Sequence, residues 1–512
     1  MSKKVVFKTY HQDQLSLLPP SYDDLVPKHH PVRIVNTIVD NLDISALEQS
    51  YKGGGTSSYH PRMLLKVIIY AYLRNLYSSR KIEQALSENI HFMWLSGQNT
   101  PDHNTINDFR GKRLKGHLKK IFNQVVLLLV DQGIINLKDI YVDGTKIEAN
   151  ANRYTFVWGK SITRNKERIQ KQLKELWSYV EKVYKDEQHI PNTPDFEAID
   201  SEKVEATIDT INEALKGKEV DKKVKQKLNY AKKNWPTNLD KYAKQEAILK
   251  GRSSYSKTDP DATFMRMKDD YMQNGQLKPG YNLQASTNNQ YITNYTLGQT
   301  TADTTLLKTH VEDFIESYHQ APESLTADAG YGSEENYTDL ESKNIDAFVK
   351  YNYFHKELQN QSKATSNPFH ADQLFYNKET DTYYCPMGQA MNNIGSYRKK
   401  TKTGFEQTVM RYQAQNCKGC PLRCLCHKSK TNRIIERNYN LIRLKSKAKA
   451  ILTGEKGIEK RKQRCWDVEA VFGNIKQNMN FKRFLLRGMD KVNVEIGLIA
   501  MAHNLKKYSL VI

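Results

Sequence analysis

The sequence is short of several features that would mark other classes of protein. It has no long hydrophobic run. The longest aliphatic stretch, Val125 to Val130, falls far short of the roughly 20 apolar residues needed to span a bilayer. No membrane partner is therefore expected. The first residues include Lys3 and Lys4 but no apolar core and no cleavage site, so a signal peptide is not expected either. Six cysteines in 512 residues are too few for a disulfide scaffold, which points to a reducing cytoplasm. Acidic residues are also outnumbered, with 57 Asp and Glu against 78 Lys and Arg and a formal charge of +21. The isoelectric point is near 9.3 and the mean hydropathy is -0.72. An excess of this size suits a polyanion, because each neutralised phosphate releases condensed counterions. The length predicts two or three domains.

Several helix and strand patterns can be read along the chain. The run Lys52-Gly-Gly-Gly-Thr-Ser-Ser closes an N-terminal segment. Pro61 can open a helix, since its missing N–H would be an orphan there. Leu64, Ile68, Tyr72 and Leu76 then recur at four-residue intervals. Ser79 is a candidate cap for a helix carrying Ile82 and Leu86. A further helix with Ile106, Phe109 and Arg110 follows the turn Thr100-Pro101-Asp102 and runs towards the apolar helix Ile121 to Val130. Such short helices, with Arg110, Lys112 and Arg113 between them, fit a helix-turn-helix or a packing bundle equally well. From Asp139 the period changes to that of a strand, through Ile140, Val142, Thr145 and Ile147. A charged insertion follows, over about 161–250. The heptad-like spacing of Ile169, Leu173, Leu176, Val180 and Val183, repeated by Val204, Ile208, Ile211 and Leu215, predicts a coiled-coil-like helical hairpin. Dimerisation, DNA clamping and a plain structural arm all fit it. Strands are expected at Gly280 to Ser286, Tyr291 to Gly298, Ser324 to Ala327 and Ile345 to Val349, with a turn at Asn288-Asn289. Helices are expected at Thr304 to Tyr318 and Glu334 to Ser342. A second insertion spans about 359–430. The fold class is α/β, a mixed sheet with interruptions.

Three acidic positions stand out within this frame. Asp143 lies mid-strand among β-branched and aromatic residues, where a carboxylate costs stability unless it faces a site. Asp328 ends a strand just before Gly330 and Gly332, and ligand chemistry gathers at the carboxyl ends of strands in open α/β sheets. Glu469, Gly473 and Lys476 share one helical face beside the apolar stripe Val468, Val471, Phe472 and Ile475. Gly473 leaves room there for a metal or a phosphate. Two Mg2+ ions need hard, anionic oxygen ligands converging from separate elements, and these three acids would meet that need.

The segments YHPRMLLKVIIYAYLRN, YVDGTKIEANANRYTFVWGK, TDPDA, GYNLQAST, LTADAGYGSEENY, VEAVFGNIKQNMNFKRFLLRG and KVNVEIGLIAMAHNLKK resemble those of bacterial insertion-sequence transposases with a ribonuclease H-like DDE core. The subgroup numbered eleven-eighty-two is the most similar. The resemblance runs in order over nearly the whole chain. It implies that Asp143, Asp328 and Glu469 form the catalytic triad, holding two Mg2+ (or Mn2+) ions. Lys476 matches the lysine that follows the glutamate. The wider clan places Tyr and Arg shortly before that glutamate, where this chain has Lys462 and Cys465, with Arg464 one residue away. Arg464, Lys476, Lys482, Arg483 and Arg487 are expected to hold phosphates. Trp158 and Trp466 are expected to pack rather than stack on a base.

The resemblance also implies binding of double-stranded DNA at terminal inverted repeats and in the target, strand cleavage and strand transfer. The chain would act as a homodimer or higher oligomer in the bacterial cytoplasm, at the nucleoid. Residues 1–135 would form a helical DNA-binding or dimerisation domain, and 136–512 the catalytic domain, interrupted at 161–250 and 359–430. A non-catalytic DNA-binding regulator and a structure-specific nuclease are the competing functions.

Cys385 in a CPxG turn, followed by Cys417-x2-Cys420, has the pattern of a zinc ribbon, in which Zn2+ takes four thiolates from two turns. Related transposases match Cys426 as the fourth ligand, with Cys424 or His427 as substitutes; unligated thiols are the alternative. Cys465 stands apart and is expected to pack.

Overall fold

The computed structural model of the chain describes residues 21–51, 58–184, 193, 195–196, 199–267, 275–360 and 367–511. The glycine run from Lys52 lies outside them, apart from Ser58. Two compact units form, one from Met1–Leu128 with Val494–Ile512 and the other from Leu129–Asn493. No helix among the described residues is long and apolar enough to cross a membrane.

The first unit is helical. Pro61 begins the helix Pro61–Leu73, where His60 Nδ1 accepts from the Arg62 amide at 3.2 Å. Helices Ser79–Glu88, Ile90–Ser96 and His103–Asp108 follow. The cap of the first of these is Ser78 rather than Ser79, and its side chain makes no capping bond. Asp102 caps the last by accepting from the Thr105 amide at 2.8 Å. Leu64, Ile68, Tyr72, Ile82, Leu86 and Ile106 are all buried, as their spacing requires. Arg110 is buried too, donating to the Tyr72 hydroxyl and the Tyr77 carbonyl. Arg113 donates to the Ser50 carbonyl. Lys112 pairs with Asp108 at 2.8 Å, so all three basic residues between these helices have partners inside the unit.

The second unit is built on a mixed sheet of β1 (Asp139–Glu148), β2 (Leu277–Asn288), β3 (Tyr291–Gly298), β4 (Ser324–Ala327) and β5 (Asp346–Val349). β1 is antiparallel to β2 and parallel to β4, β2 is antiparallel to β3, and β4 is parallel to β5. The spatial order is β3-β2-β1-β4-β5, with a short strand, Thr263–Arg266, on the first part of β2. The β2–β3 hairpin turns at Asn289 and Gln290, one residue later than expected, with φ of 52° and 64°. Two positive φ values match the right-handed twist of the flanking strands.

The first insertion holds three helices, α1 (Gly159–Val183), α2 (Ser201–Ala214) and α3 (Lys222–Leu249), rather than a two-helix hairpin. They share one core: Trp177 and Val180 from α1, Ile208 and Ile211 from α2, and Leu228, Ala231, Trp235 and Leu239 from α3. The third helix hides in the sequence because its apolar residues are sparse among lysines and Pro236 interrupts it. After the insertion, α4 (Leu307–Tyr318) and α5 (Glu334–Ser342) follow β3 and β4. The last helices before the chain returns to the first unit are α6 (Tyr439–Thr453) and α7 (Glu455–Gly473), and α7 packs across β1, β2 and β4.

The second insertion is an antiparallel five-stranded sheet running from Phe375–Asn377 to Ile434–Arg437. It reaches past residue 430 because its last strand pairs with Glu406–Ala414. Buried Glu334 ties this sheet to α5, accepting from Gln407 and Asn440 at 2.9 Å each and also from Asn438. The TDPDA segment has a structural task. Asp259 accepts from the Gly488 amide at 3.2 Å and Asp261 from the Met489 amide at 2.9 Å, satisfying the start of helix Met489–Tyr508.

Trp177 is 2 % exposed at the centre of the three-helix core. Trp177→Ala is expected to cost the arm about 3–5 kcal/mol in denaturant unfolding followed by circular dichroism. A cost below about 1 kcal/mol would show that this core does not hold the arm together.

Candidate active site

Strand register sets the site. Val142 on β1 pairs with Ala327 on β4, and Ala327 pairs with Val349 on β5. The next residues along these three parallel strands are Asp143, Asp328 and Lys350. Side chains at the same level on neighbouring strands share a face about 5 Å apart. Register alone therefore brings the two aspartates side by side, with a lysine next in line. Lys350 Nζ lies 3.4 Å from Asp328 Oδ1.

Helix α7 crosses the same face, and charged residues on its inner side set its position. Lys460 Nζ meets Asp139 Oδ1 at 2.6 Å and stands over the Tyr141 ring. One turn on, Arg464 approaches Asp143 Oδ2 at 3.5 Å with Nη1 and Glu469 Oε1 at 3.1 Å with Nη2. Asp467, fully buried, accepts from the Gln290 amide at 3.0 Å and so pins the β2–β3 turn. Asp139, Tyr141 and Asp143 alternate along β1 and all face the helix. The Arg464 side chain is 6 % exposed, that of Asp143 15 %, and Glu469 remains half open at 53 %.

Arg464 acts on the third acid as well. Burial works to raise the Asp328 pKa and is the largest single influence. The Ala329 amide, Arg464 and Lys350 outweigh it and hold the carboxyl below its ordinary value. Asp143, Asp328 and Glu469 thus come from β1, the end of β4 and α7, and all three are influenced by one guanidinium. Among the described residues, no three His, Cys, Asp or Glu side chains already stand close enough to grip a metal; the arginine lies among the acids. The donors are nevertheless all carboxylate oxygens, and a side chain at Gly473 would meet nothing within 4 Å.

The opposite face of β1 holds a cluster that sequence reasoning missed. A Cβ on Gly144 would run into Gln284 Nε2, Asp303 Oδ1 and the Tyr331 hydroxyl, so only glycine fits. Asn282 and Gln284 donate to Asp303 at 2.7 and 3.2 Å, and Tyr331 donates to Gln284. The available signal was the alternation Asn282, Gln284, Ser286 in GYNLQAST, a polar face that is fully buried. Gly332 has a similar constraint, as a Cβ there would strike the backbone at Lys350 and Tyr351.

The remaining predicted residues are more dispersed. After Gly473 the helix widens into a π turn, Asn474–Asn478, and Lys476 within it is buried. Lys482 is exposed. Arg483 donates to the Ala149 carbonyl at 3.2 Å and Arg487 to the Asn150 carbonyl at 2.7 Å, so both brace the segment after β1. Trp158 packs with Phe156 and Phe264. Trp466, in contrast, is 72 % exposed, and Cys465 is exposed rather than packed. Both sit on the outer side of α7, opposite its charged inner face.

In the five-stranded sheet, Cys385, Cys417, Cys420, Cys426 and His427 line one small cavity, together with Arg433. Cys424 is exposed and does not line it. Neither ring nitrogen of His427 has a hydrogen-bond partner among the described residues. Burial, then Arg423 and Arg433, lowers the His427 pKa, favouring the neutral ring. Arg433 Nη1 lies 3.1 Å from Cys426 Sγ.

Two stretches match family models. Residues 20–112 match a transposase domain (DUF772), and residues 384–509 match a transposase DDE domain. No curated protein and no solved structure matches the chain. The first match lies in the helical unit. The second includes most of the five-stranded sheet, α6 and α7 with Glu469. Asp143 and Asp328 fall outside both. Together they define the class, a transposase. More particularly, the two matches indicate an insertion-sequence DDE transposase, and the insertion-sequence family numbered eleven-eighty-two fits both matched domains. This is a family of DNA-cutting enzymes that generally use divalent metal.

Lys350→Met removes one of the charges that hold Asp328 down. The Asp328 pKa in the metal-free protein is therefore expected to rise, moving its carboxyl titration by 13C NMR to higher pH. An unmoved titration would remove Lys350 from the site.

Proposed function

We propose that this chain binds the ends of an insertion sequence and catalyses metal-dependent strand cleavage and strand transfer on DNA. In this reading Asp143, Asp328 and Glu469 are the acid triad of a ribonuclease H-like core. The observation that carries it is that Asp143 and Glu469 both meet the single guanidinium of Arg464, while strand register sets Asp328 beside Asp143. A sheet that is antiparallel on one side of β1 and parallel on the other is compatible with such a core.

The donor set suits Mg2+ or Mn2+, since every candidate ligand is a hard carboxylate oxygen. Two ions held by Asp143, Asp328 and Glu469 would supply charge stabilisation to the attacking and leaving oxygens of an in-line displacement. The chain's own groups do the rest. The neighbours of Asp328 hold its carboxyl below the ordinary aspartate range against the opposing effect of burial. Half-open Glu469, beside the empty space at Gly473, leaves a phosphate access to the acids. Exposed Lys482 and the bracing Arg483 and Arg487 face the backbone of bound DNA, and Lys476 supports the turn behind Glu469. The unit around residues 20–112 would contribute DNA binding or dimerisation, with paired element ends held by a homodimer or larger assembly. The protein would work at the bacterial nucleoid.

Asp143→Ala, Asp328→Ala and Glu469→Ala are each expected to abolish Mg2+-dependent cleavage of an element-end duplex while gel-shift binding survives. Near-wild-type cleavage by any one of them would strike that residue from the triad. A wild-type protein that binds the duplex without cleaving it would favour a regulator.

The cysteine cavity is assigned a structural Zn2+ held by Cys385, Cys417, Cys420 and Cys426. The support is the donor chemistry and the unpartnered ring of His427 beside it. Elemental analysis is expected to find about one zinc per chain, lost in Cys417→Ser or Cys420→Ser. A zinc-free wild-type protein would remove the site.

A further inference from the structure

Arg464 is an unusual buried arginine. Buried Arg110, for comparison, donates to the Tyr72 hydroxyl, the Tyr77 carbonyl and Asn107, and only its Nε lacks a partner among the described residues. Arg464 is 5 % exposed overall, yet it makes one hydrogen bond, from Nη2 to Glu469, and its Nε and Nη1 have no hydrogen-bond partner among the described residues. Its contact with Asp143 is an ion pair at 3.5 Å without hydrogen-bond geometry. A guanidinium presents five donors in a rigid fork, and leaving several unmet in a buried place carries a desolvation cost. Positive charge holds this side chain in place more than hydrogen-bond shape does.

Without a cation, Asp143 and Asp328 would stand at one level on adjacent strands, an arrangement in which like charges repel. Among the described residues, the carboxylate that Lys350 pairs with is Asp328. We infer that Arg464 is a built-in surrogate cation, a positioning residue that assembles the acids before metal arrives and competes with the divalent ions for them. This rests on the metal-binding reading of the triad. A divalent ion carries twice the charge and can satisfy several carboxylate oxygens at once, which the poorly bonded guanidinium does not. Metal entry therefore displaces the Arg464 charge from the carboxylates and leaves it for a DNA phosphate oxygen, a group it can meet with two parallel N–H donors. The empty protein is held together, and the arginine is spent on DNA only once metal is loaded.

The test uses the full-length protein and Mn2+ alone, with uptake read by electron paramagnetic resonance and Tm measured in chelator and in Mn2+. Wild type is expected to take up Mn2+ in a manner that Asp143→Ala abolishes. Arg464→Gln should bind Mn2+ tighter by about tenfold or more, since the competing charge is gone. Its Tm in chelator should fall below wild type, and Mn2+ should raise that Tm by more than it raises the wild-type value. Wild-type Mn2+ affinity in Arg464→Gln would overturn the inference while leaving the metal site standing. No uptake sensitive to Asp143→Ala in wild type would sink the metal reading, and this inference with it. If Arg464→Gln does not fold, Arg464→Lys, with its shorter reach, should also bind Mn2+ more tightly than wild type. Unchanged uptake in that variant likewise overturns the inference.

Discussion

Two carboxylates at one level on neighbouring parallel strands repel each other, and the architecture around β1 and β4 is organised by how that repulsion is met. Arg464 reaches Asp143 from α7, while Lys350 reaches Asp328 from the end of β5. The requirement for charge fixes where α7 can lie. With Lys460 on Asp139 and Arg464 on Asp143, one helical turn is matched to two residues four positions apart on the same face of one strand. The helix cannot slide or rotate without breaking both pairs, so Glu469 is delivered to the same place. Each pair is partly or largely buried, and removing one partner leaves a charge uncompensated.

The two faces of β1 have different tasks. One carries the acids and meets α7. The other carries Gly144 against a closed network of Gln284, Asn282, Asp303 and Tyr331, whose groups satisfy one another. Burial, followed by the charges of Asp143 and Asp303, keeps the Tyr331 hydroxyl protonated far above neutrality, so it serves as a donor there. The network is a stiff floor under the strand. It uses polar groups where an apolar core would pack as well, a choice consistent with holding one defined geometry.

Much of the secondary structure was legible because its physical causes are local. β1 announced itself by alternation, the first helix after the glycine run by Pro61, and the helices of the arm by heptad spacing. Where local signals were weak the reading failed. Helix α3 has few apolar residues and an internal proline, and it stayed hidden. The π turn after Gly473 cannot be seen in a 3.6-residue pattern, and the burial of Lys476 within it was not foreseen. Trp466 and Cys465, expected to pack, lie on the outer side of a helix whose inner side is claimed by Lys460, Arg464 and Asp467.

The sequence by itself determined the transposase family, the mixed α/β class, the position of Asp143 within a strand and the cysteines available for a shared site. Those depend on residue type, order and short-range period. Only the tertiary structure decided that Arg464, and not a residue at a family position, stands among the acids. It alone also showed that Cys426 and His427 line the cysteine cavity while Cys424 does not. The reason is that both choices are made by strand register and helix rotation. These depend on pairings between residues more than a hundred positions apart in one case, and on the direction of single side chains in the other.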